Sequence, residues 1–257
     1  MAFEKRVFET PLGDVWLWGE ASAFDGDGPV ILTLLGFAAP LERMFPLQMA
    51  LPEAATLFAH LPGNHSPALS ACSVGAFAYA YGHVIATALA GRPLVVFGES
   101  LGGLVALAME PPNLRRLVLD PPFRAPNNPL FVGQCRAFVR RQPEHAELAF
   151  ALLGIGADAL EPRDLTHLIG RPARVLVGAH DAPLKPGEAQ SVVDDESRAR
   201  LLAQPDVWLT TVNSAGHVLP GRAAALILRI LREMVIDAAR AAKDIALRGD
   251  APRESSD

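Results

Sequence analysis

The 257-residue sequence predicts an α/β protein with a doubly wound, mostly parallel sheet and a helical cap insertion. Short apolar runs, typical of strands buried on both faces, alternate along the chain with stretches of helical periodicity. The first two strand-like runs instead alternate apolar and polar residues around a turn, which is typical of an antiparallel hairpin. Two late strands are separated by about fifty residues with helical patches, far more than an ordinary crossover needs.

Eight strands are predicted from the side-chain pattern. The first two are assigned to the hairpin because they flank Pro11 and Gly13, and the third is a continuous apolar run. The others are short apolar or β-branched runs, most of which end at residues that favour turns. In chain order the predicted strands are residues 6–10, 14–18, 30–35, 54–61, 94–97, 114–119, 174–178 and 207–212.

Helices are predicted where apolar residues recur with helical spacing. In chain order they are residues 41–49, 74–89, 104–109, 134–141, 144–153 and 222–247. Gly91 and Pro93 stop the second of them. The fourth and fifth fall in the long stretch between strands. We therefore expect a core of residues 1–122 and 172–257 and a helical cap of residues 123–171.

Composition and charge limit the classes of binding partner and the cellular location that the sequence favours. A net charge of -5 gives no basic footprint for nucleic acid, and no apolar run reaches the roughly 18 residues that a membrane span requires. The first six residues lack the apolar region of a signal peptide. Cys72 and Cys135 lack the spacing of a zinc or redox motif, so two thiols in a reducing cytoplasm are expected. The apolar stripe of the last helix could support a homodimer or cover the sheet.

The motif Gly98-Glu99-Ser100-Leu101-Gly102 lies between a predicted strand and a predicted helix. In this G-x-S-x-G context the serine occupies a strained turn, which the glycines permit because they carry no Cβ. The free N–H groups of the following helix favour negative charge beside the hydroxyl. A serine alone is a poor nucleophile, so the motif requires a base and an orienting acid elsewhere.

Other reactive side chains also follow predicted strands. Asp120, Asp181 and His217 each come just after one. Sites in open parallel sheets form beyond the carboxyl ends of the strands. The loops that begin at residues 36, 62, 98, 120, 178 and 213 are therefore expected to converge.

With these motifs in this order, the chain resembles the α/β-hydrolase superfamily over nearly its whole length. The resemblance rests on Gly98-Glu99-Ser100-Leu101-Gly102, on Gly178-Ala179-His180-Asp181 and on Gly216-His217, which occur in the order nucleophile, acid, histidine. It implies that Ser100 attacks an acyl carbonyl and that His217 accepts the serine proton. Asp181 is the implied orienting acid, and Asp120 is the alternative because some relatives take the acid from the earlier strand.

The resemblance also implies an oxyanion hole made by the backbone N–H groups of Phe37 and Leu101. Many relatives have a His-Gly pair in that loop, whereas this chain has Leu35-Gly36. The hydrogen bonds with which the histidine would hold the loop must therefore come from other residues. A further departure is the stretch 60–67, in which His60 and His65 are expected either to reach the site entrance or to serve the loop itself.

The expected function is that of a cytoplasmic serine hydrolase, similar to carboxylesterases or thioesterases, acting on a small-molecule acyl substrate through an acyl-enzyme. Alternatives on the same triad are an acyltransferase or a hydrolase of C–C or amide bonds, and a catalytically silent binding protein of the same fold is the rival from another class. Ser100 could then serve as a helix cap. We expect no cofactor, no nucleic acid and no membrane partner. We also expect no metal, because the pair His180 and Asp181 alone cannot hold a metal ion.

Overall fold

A computed structural model describes residues 3–110, 114–185 and 188–249. Its strands are β1 (Glu4–Thr10), β2 (Gly13–Gly19), β3 (Val30–Leu34), β4 (Ala55–Ala59), β5 (Leu94–Glu99), β6 (Arg115–Leu119), β7 (Ala173–Gly178) and β8 (Val207–Val212). They form one sheet in the order β1-β2-β4-β3-β5-β6-β7-β8. β1 pairs with β2, and β2 with β4, in antiparallel fashion, whereas the pairs from β4 through β8 are parallel. The predicted hairpin and doubly wound, mostly parallel sheet are confirmed.

The helices are α1 (Ala21–Asp25), α2 (Phe45–Met49), α3 (Val74–Ala88), α4 (Leu101–Ala108), α5 (Pro129–Arg141), α6 (Ala146–Leu153), α7 (Asp195–Leu202) and α8 (Pro220–Gly249). None of the described helices is both long and apolar enough to cross a membrane. Alternate residues of β3 point to opposite faces of the sheet. Leu32 joins the core formed with α3 and α4, whereas Ile31 joins the core formed with α8.

Helix α7 is absent from the sequence-based prediction. Its N-cap is Asp194, whose carboxylate accepts a hydrogen bond from the Ser197 amide at 2.8 Å, and Asp195 and Glu196 occupy its first turn. Acidic side chains there favour helix formation because they offset the positive end of the helix dipole. The capping signal is therefore visible in the sequence, but the apolar residues of this helix are only Ala199, Leu201 and Leu202, which are too few to indicate a helical periodicity.

Residues 123–171 leave the sheet after β6 and return at β7, and they carry α5 and α6. Two arginines of α5 bind the loop that follows α6. Arg136 donates to the carbonyl of Gly156 at 3.3 Å, and Arg140 donates to the Asp158 carboxylate at 3.0 Å. We call residues 123–171 the cap segment.

Candidate active site

Ser100 lies in a strained turn between β5 and α4. Its backbone has φ 52° and ψ -120°, a conformation that residues other than glycine rarely adopt. A Cβ at Gly98 would lie 2.6 Å from the Gly102 carbonyl oxygen, and one at Gly102 would collide with the Leu34 carbonyl. Both glycines are thus required by close backbone contacts. The Ser100 side chain makes no capping hydrogen bond to α4, so the helix-cap alternative is not supported.

His217 faces this serine from the loop after β8. Its Nε2 lies 3.1 Å from Ser100 Oγ, within hydrogen-bond distance. The backbone of the histidine is fixed because its N–H donates to the carbonyl of Ala189 at 2.8 Å. The side chain is 13% exposed, so the imidazole is largely sheltered from water.

The other ring nitrogen of His217 contacts Asp120, not Asp181. Nδ1 lies 2.8 Å from Asp120 Oδ2, and the aspartate is fully buried. The expectation that Asp181 orients the imidazole is corrected here, because Asp181 lies in an exposed turn after β7. Asp120 follows β6 and has φ 44°, a backbone conformation that residues other than glycine seldom adopt.

The Asp120 carboxylate is surrounded by hydrogen-bond donors. Oδ1 accepts from the Gly178 amide at 3.1 Å and lies 2.6 Å from Ser191 Oγ, while Oδ2 accepts from the Val192 amide at 2.9 Å. These donors stabilise the negatively charged form. The hydrogen-bond network therefore assigns the proton of neutral His217 to Nδ1, which leaves the Nε2 lone pair facing Ser100.

The backbone at Gly36 and Phe37 lies beside the serine. A Cβ at Gly36 would be 3.2 Å from Ser100 Cβ and 3.9 Å from its Oγ. Leu101 is the first residue of α4, where a helix leaves its amides without intrahelical acceptors. Within the described chain neither the Phe37 amide nor the Leu101 amide has a hydrogen-bond acceptor. Both N–H groups are thus candidates for an oxyanion hole.

An ion pair braces the loop that contains Gly36. Arg43, in a short 3₁₀ helix that ends this loop, forms a salt bridge with Glu99, which is 3% exposed and directly precedes Ser100. In addition, the Leu35 amide donates to the Ala59 carbonyl at 3.2 Å. These contacts fix the loop where many relatives of the resembled superfamily have a histidine.

Aromatic side chains of the cap segment cover the site. Phe131 of α5 lies edge-on to His217 with ring centroids 5.4 Å apart, and Phe138 lies 5.2 Å from the ring of Phe37. Ser100 itself is only 9% exposed.

The histidines of the stretch 60–67 lie beside the cap segment. His60 is buried against Trp18 and has its ring centroid 4.9 Å from that of His65. His65 in turn lies 5.9 Å from His145. Burial lowers the pKa of His60 to about 4, and His65 contributes to this shift. His60 therefore serves the packing of its loop, and the exposed His65 joins that loop to the cap segment.

His180 contacts the segment before α7 and the first residue of that helix. Its Nε2 lies 2.9 Å from the Val193 carbonyl and its Nδ1 lies 3.7 Å from the Asp195 carboxylate. Over the ranges that the structure describes, no group of three or more His, Cys, Asp or Glu side chains has an arrangement suited to a metal ion.

No protein-family model matches the sequence, and no curated protein sequence matches it either. The carboxylesterase CesB from Bacillus subtilis is 16% identical, with a TM-score of 0.64 over 91% of this chain and 92% of that one. A thermophilic esterase from Thermogutta terrifontis is 20% identical, with a TM-score of 0.61 over 91% and 99%. The naproxen esterase from Bacillus subtilis is 17% identical, with a TM-score of 0.59 over 90% and 91%. The sheet order, the serine turn and these likenesses show that the chain has the α/β-hydrolase fold.

Proposed function

We propose that this protein is a serine hydrolase that cleaves a small-molecule ester or thioester through an acyl-enzyme. One observation carries the proposal. Ser100, held in a strained turn, is within hydrogen-bond distance of His217, and His217 is hydrogen-bonded to the buried carboxylate of Asp120. A nucleophile, a base and an orienting acid are thus aligned.

In the first half of the reaction, Ser100 Oγ attacks the acyl carbonyl carbon while its proton passes to Nε2 of His217. The carbonyl π electrons move to the oxygen and form a tetrahedral intermediate, whose charge the Phe37 and Leu101 amides are placed to stabilise. The intermediate collapses when His217 returns the proton to the leaving alkoxide or thiolate. The leaving group departs and the acyl group stays on Ser100.

In the second half, His217 accepts a proton from water, and the water oxygen attacks the acyl carbon. Collapse of this intermediate breaks the bond to Ser100, which recovers its proton from His217. The Asp120 carboxylate stabilises the imidazolium in both halves without taking the proton itself. The buried position of Asp120 strengthens that interaction, because little water screens it.

Esters are the leading substrates in this proposal. The similar structures described as a carboxylesterase and as esterases support it at the level of fold. The cap segment supplies aromatic side chains to the site, among them Phe131 and Phe138. We infer an apolar acyl or alcohol group in contact with them. A cytoplasmic location belongs to the same proposal and is supported by the two free cysteines, Cys72 and Cys135.

The test uses wild-type protein, Ser100→Ala and the control Ser70→Ala, which removes an exposed serine. Each is treated with a fluorophosphonate, and intact mass and peptide mapping locate any adduct. A panel of aryl esters and acyl thioesters of increasing chain length follows. We expect a single adduct on Ser100 in wild type and Ser70→Ala, and loss of both adduct and turnover in Ser100→Ala.

Folded wild-type protein that takes up no phosphonate and turns over no member of the panel would contradict the proposal and favour a binding role. Product analysis with added alcohol or amine separates hydrolysis from acyl transfer. Free acid as the product in both conditions supports hydrolysis.

A further inference from the structure

The Asp120 carboxylate depends on a segment between β7 and α7 to which the sequence assigned no role. Ser191, Val192 and Val193 of this segment are all nearly inaccessible to solvent. The hydroxyl of Ser191 lies 2.6 Å from Asp120 Oδ1. Behind that hydroxyl, Nη2 of Arg198, on α7, lies 3.0 Å from Ser191 Oγ.

Chemistry fixes the direction of these hydrogen bonds. A guanidinium only donates, so Arg198 donates to Ser191 Oγ. The Val193 amide donates to the same oxygen at 3.3 Å. Both lone pairs of the Ser191 hydroxyl therefore accept hydrogen bonds, and the hydroxyl proton is donated to Asp120.

The remaining donors of Arg198 bind neutral acceptors. Nη2 also donates to the Gly178 carbonyl at 2.6 Å, Nε to the Val193 carbonyl at 3.0 Å, and Nη1 to the hydroxyl of Thr211 at 3.2 Å. The guanidinium thus keeps one fixed orientation in which its charge lies one hydroxyl away from Asp120.

Several charged groups surround Arg198. Burial lowers its pKa, while the carboxylates of Asp120, Asp195 and Asp194 act in the opposite direction. The titratable His180 lies nearby, against the Val193 carbonyl that also accepts from Arg198. Among these carboxylates Asp120 is the fully buried one, so its interaction with the guanidinium is the least screened by water.

We propose that Ser191 and Arg198 are positioning residues that act on the reaction through Asp120. The proposal rests on the proposed function only where turnover is concerned. Ser191 holds the carboxylate in the plane that meets Nδ1 of His217. Arg198 offsets part of the carboxylate charge and so limits how strongly Asp120 attracts the imidazolium form of His217.

The first test does not depend on turnover. Protein with nitrogen-labelled histidine is titrated by NMR, and the imidazole signals of His217 are identified by their absence in His217→Gln. In Arg198→Met we expect the midpoint of the His217 titration to rise by roughly 0.5–1 pH unit, because a neighbouring positive charge is lost. Arg198→Lys keeps the charge and should recover at least half of that shift.

The matched control is Arg200→Met on the same helix. Arg200 binds Thr166, Asp164 and Glu196 on the surface, so its loss changes the net charge equally without changing the surroundings of Asp120. We expect its His217 midpoint to match wild type. An Arg198→Met midpoint within roughly 0.2 pH unit of wild type, or an equal shift in Arg200→Met, would overturn the proposal for Arg198.

The second test concerns Ser191 and uses an ester that wild-type protein turns over. Ser191→Ala should lower kcat on the order of 10-fold and leave KM within about twofold, because the lost hydrogen bond orients the acid and does not bind substrate. Thermal melting checks that each variant is folded. Failure of folded wild-type protein to turn over any ester of the panel would reject the proposed function, whereas unchanged kcat in folded Ser191→Ala would reject the role of Ser191.

Discussion

Asp120 Oδ2 accepts a 2.8 Å hydrogen bond from Nδ1 of His217, although the aspartate follows β6 and the histidine follows β8. The contact spans the intervening strand β7, because β6, β7 and β8 are neighbours in the sheet. The loop after β7 does not supply the acid. Instead, the last residue of β7 supplies the Gly178 amide, and the segment between β7 and α7 supplies the Val192 amide, as donors to the Asp120 carboxylate.

The first prediction separates the two candidate acids. Asp120→Asn should lower kcat by roughly 10²–10⁴-fold, because the amide cannot stabilise the imidazolium and can invert the tautomer of His217. Asp181→Asn, in an exposed turn, should leave kcat within about twofold. Initial rates on an aryl ester, with circular dichroism to check folding, measure both. A large loss in Asp181→Asn together with an active Asp120→Asn would refute the assignment.

Much of the fold could be predicted because its signals are local. The largely apolar run of β3, interrupted only by Thr33, and the glycines around Ser100 each have a direct physical cause that is visible in sequence. That Ser100 and His217 lie close together could also be predicted, because both follow strands and the loops at the carboxyl ends of parallel strands converge. The choice between Asp120 and Asp181 did not, because it depends on the backbone turn at φ 44° and on the donors supplied by a distant segment.

Ser191 and Arg198 could not be found from sequence for the same reason. The contact of Ser191 with Asp120 joins residues 71 positions apart, and Arg198 reaches Asp120 through Ser191. The available signal was the N-cap at Asp194, which predicts α7 and so places Arg198 on a helix. Which side chain that helix directs toward the site is a matter of tertiary packing.

The second prediction concerns the approach of Gly36 to the serine. In Gly36→Ala the new methyl group would lie 3.2 Å from Ser100 Cβ and 3.4 Å from the Glu99 carbonyl oxygen. The loop that contains Gly36 and Phe37 should move. The value of kcat should fall by about 10-fold or more, because the placement of the Phe37 amide decides how well it stabilises the transition state. Steady-state kinetics with an aryl ester measure the change.

The control is Gly133→Ala in α5, where a Cβ would meet nothing within 4 Å. This variant should keep wild-type kcat and gain up to about 1 kcal/mol in the free energy of unfolding, because alanine favours helix. Equal activity of the two variants would show that the loop tolerates the methyl group and would weaken the oxyanion assignment.

The third prediction concerns the ion pair of Arg43 and Glu99. Arg43→Met leaves the carboxylate of Glu99 buried without its partner, since that residue is 3% exposed. The free energy of unfolding should fall by about 1–3 kcal/mol. Arg140→Met breaks an exposed pair with Asp158 and should cost less than about 0.5 kcal/mol. Urea unfolding measures both, and equal losses would show that burial of Glu99 has no energetic consequence.

The fourth prediction is a pH dependence of stability that arises from His60. The pKa of this histidine falls from 6.5 to about 4 on folding, because burial and the neighbouring His65 disfavour its charged form. Between these two values the unfolded chain binds a proton that the folded chain does not, so the free energy of unfolding must fall as the pH decreases. From pH 7 to pH 5 the loss from His60 should be about 2 kcal/mol, and below about pH 4 no further loss arises from it.

His60→Phe keeps a ring against Trp18 but cannot take up a proton. Its free energy of unfolding, measured by urea titration, should therefore lose about 2 kcal/mol less than wild type between pH 7 and pH 5. His167→Gln removes an exposed histidine and should retain the wild-type loss. If His60→Phe also retained it, the acid sensitivity would have to come from other groups, and His60 would be protonated at the same pH in the folded and unfolded chains.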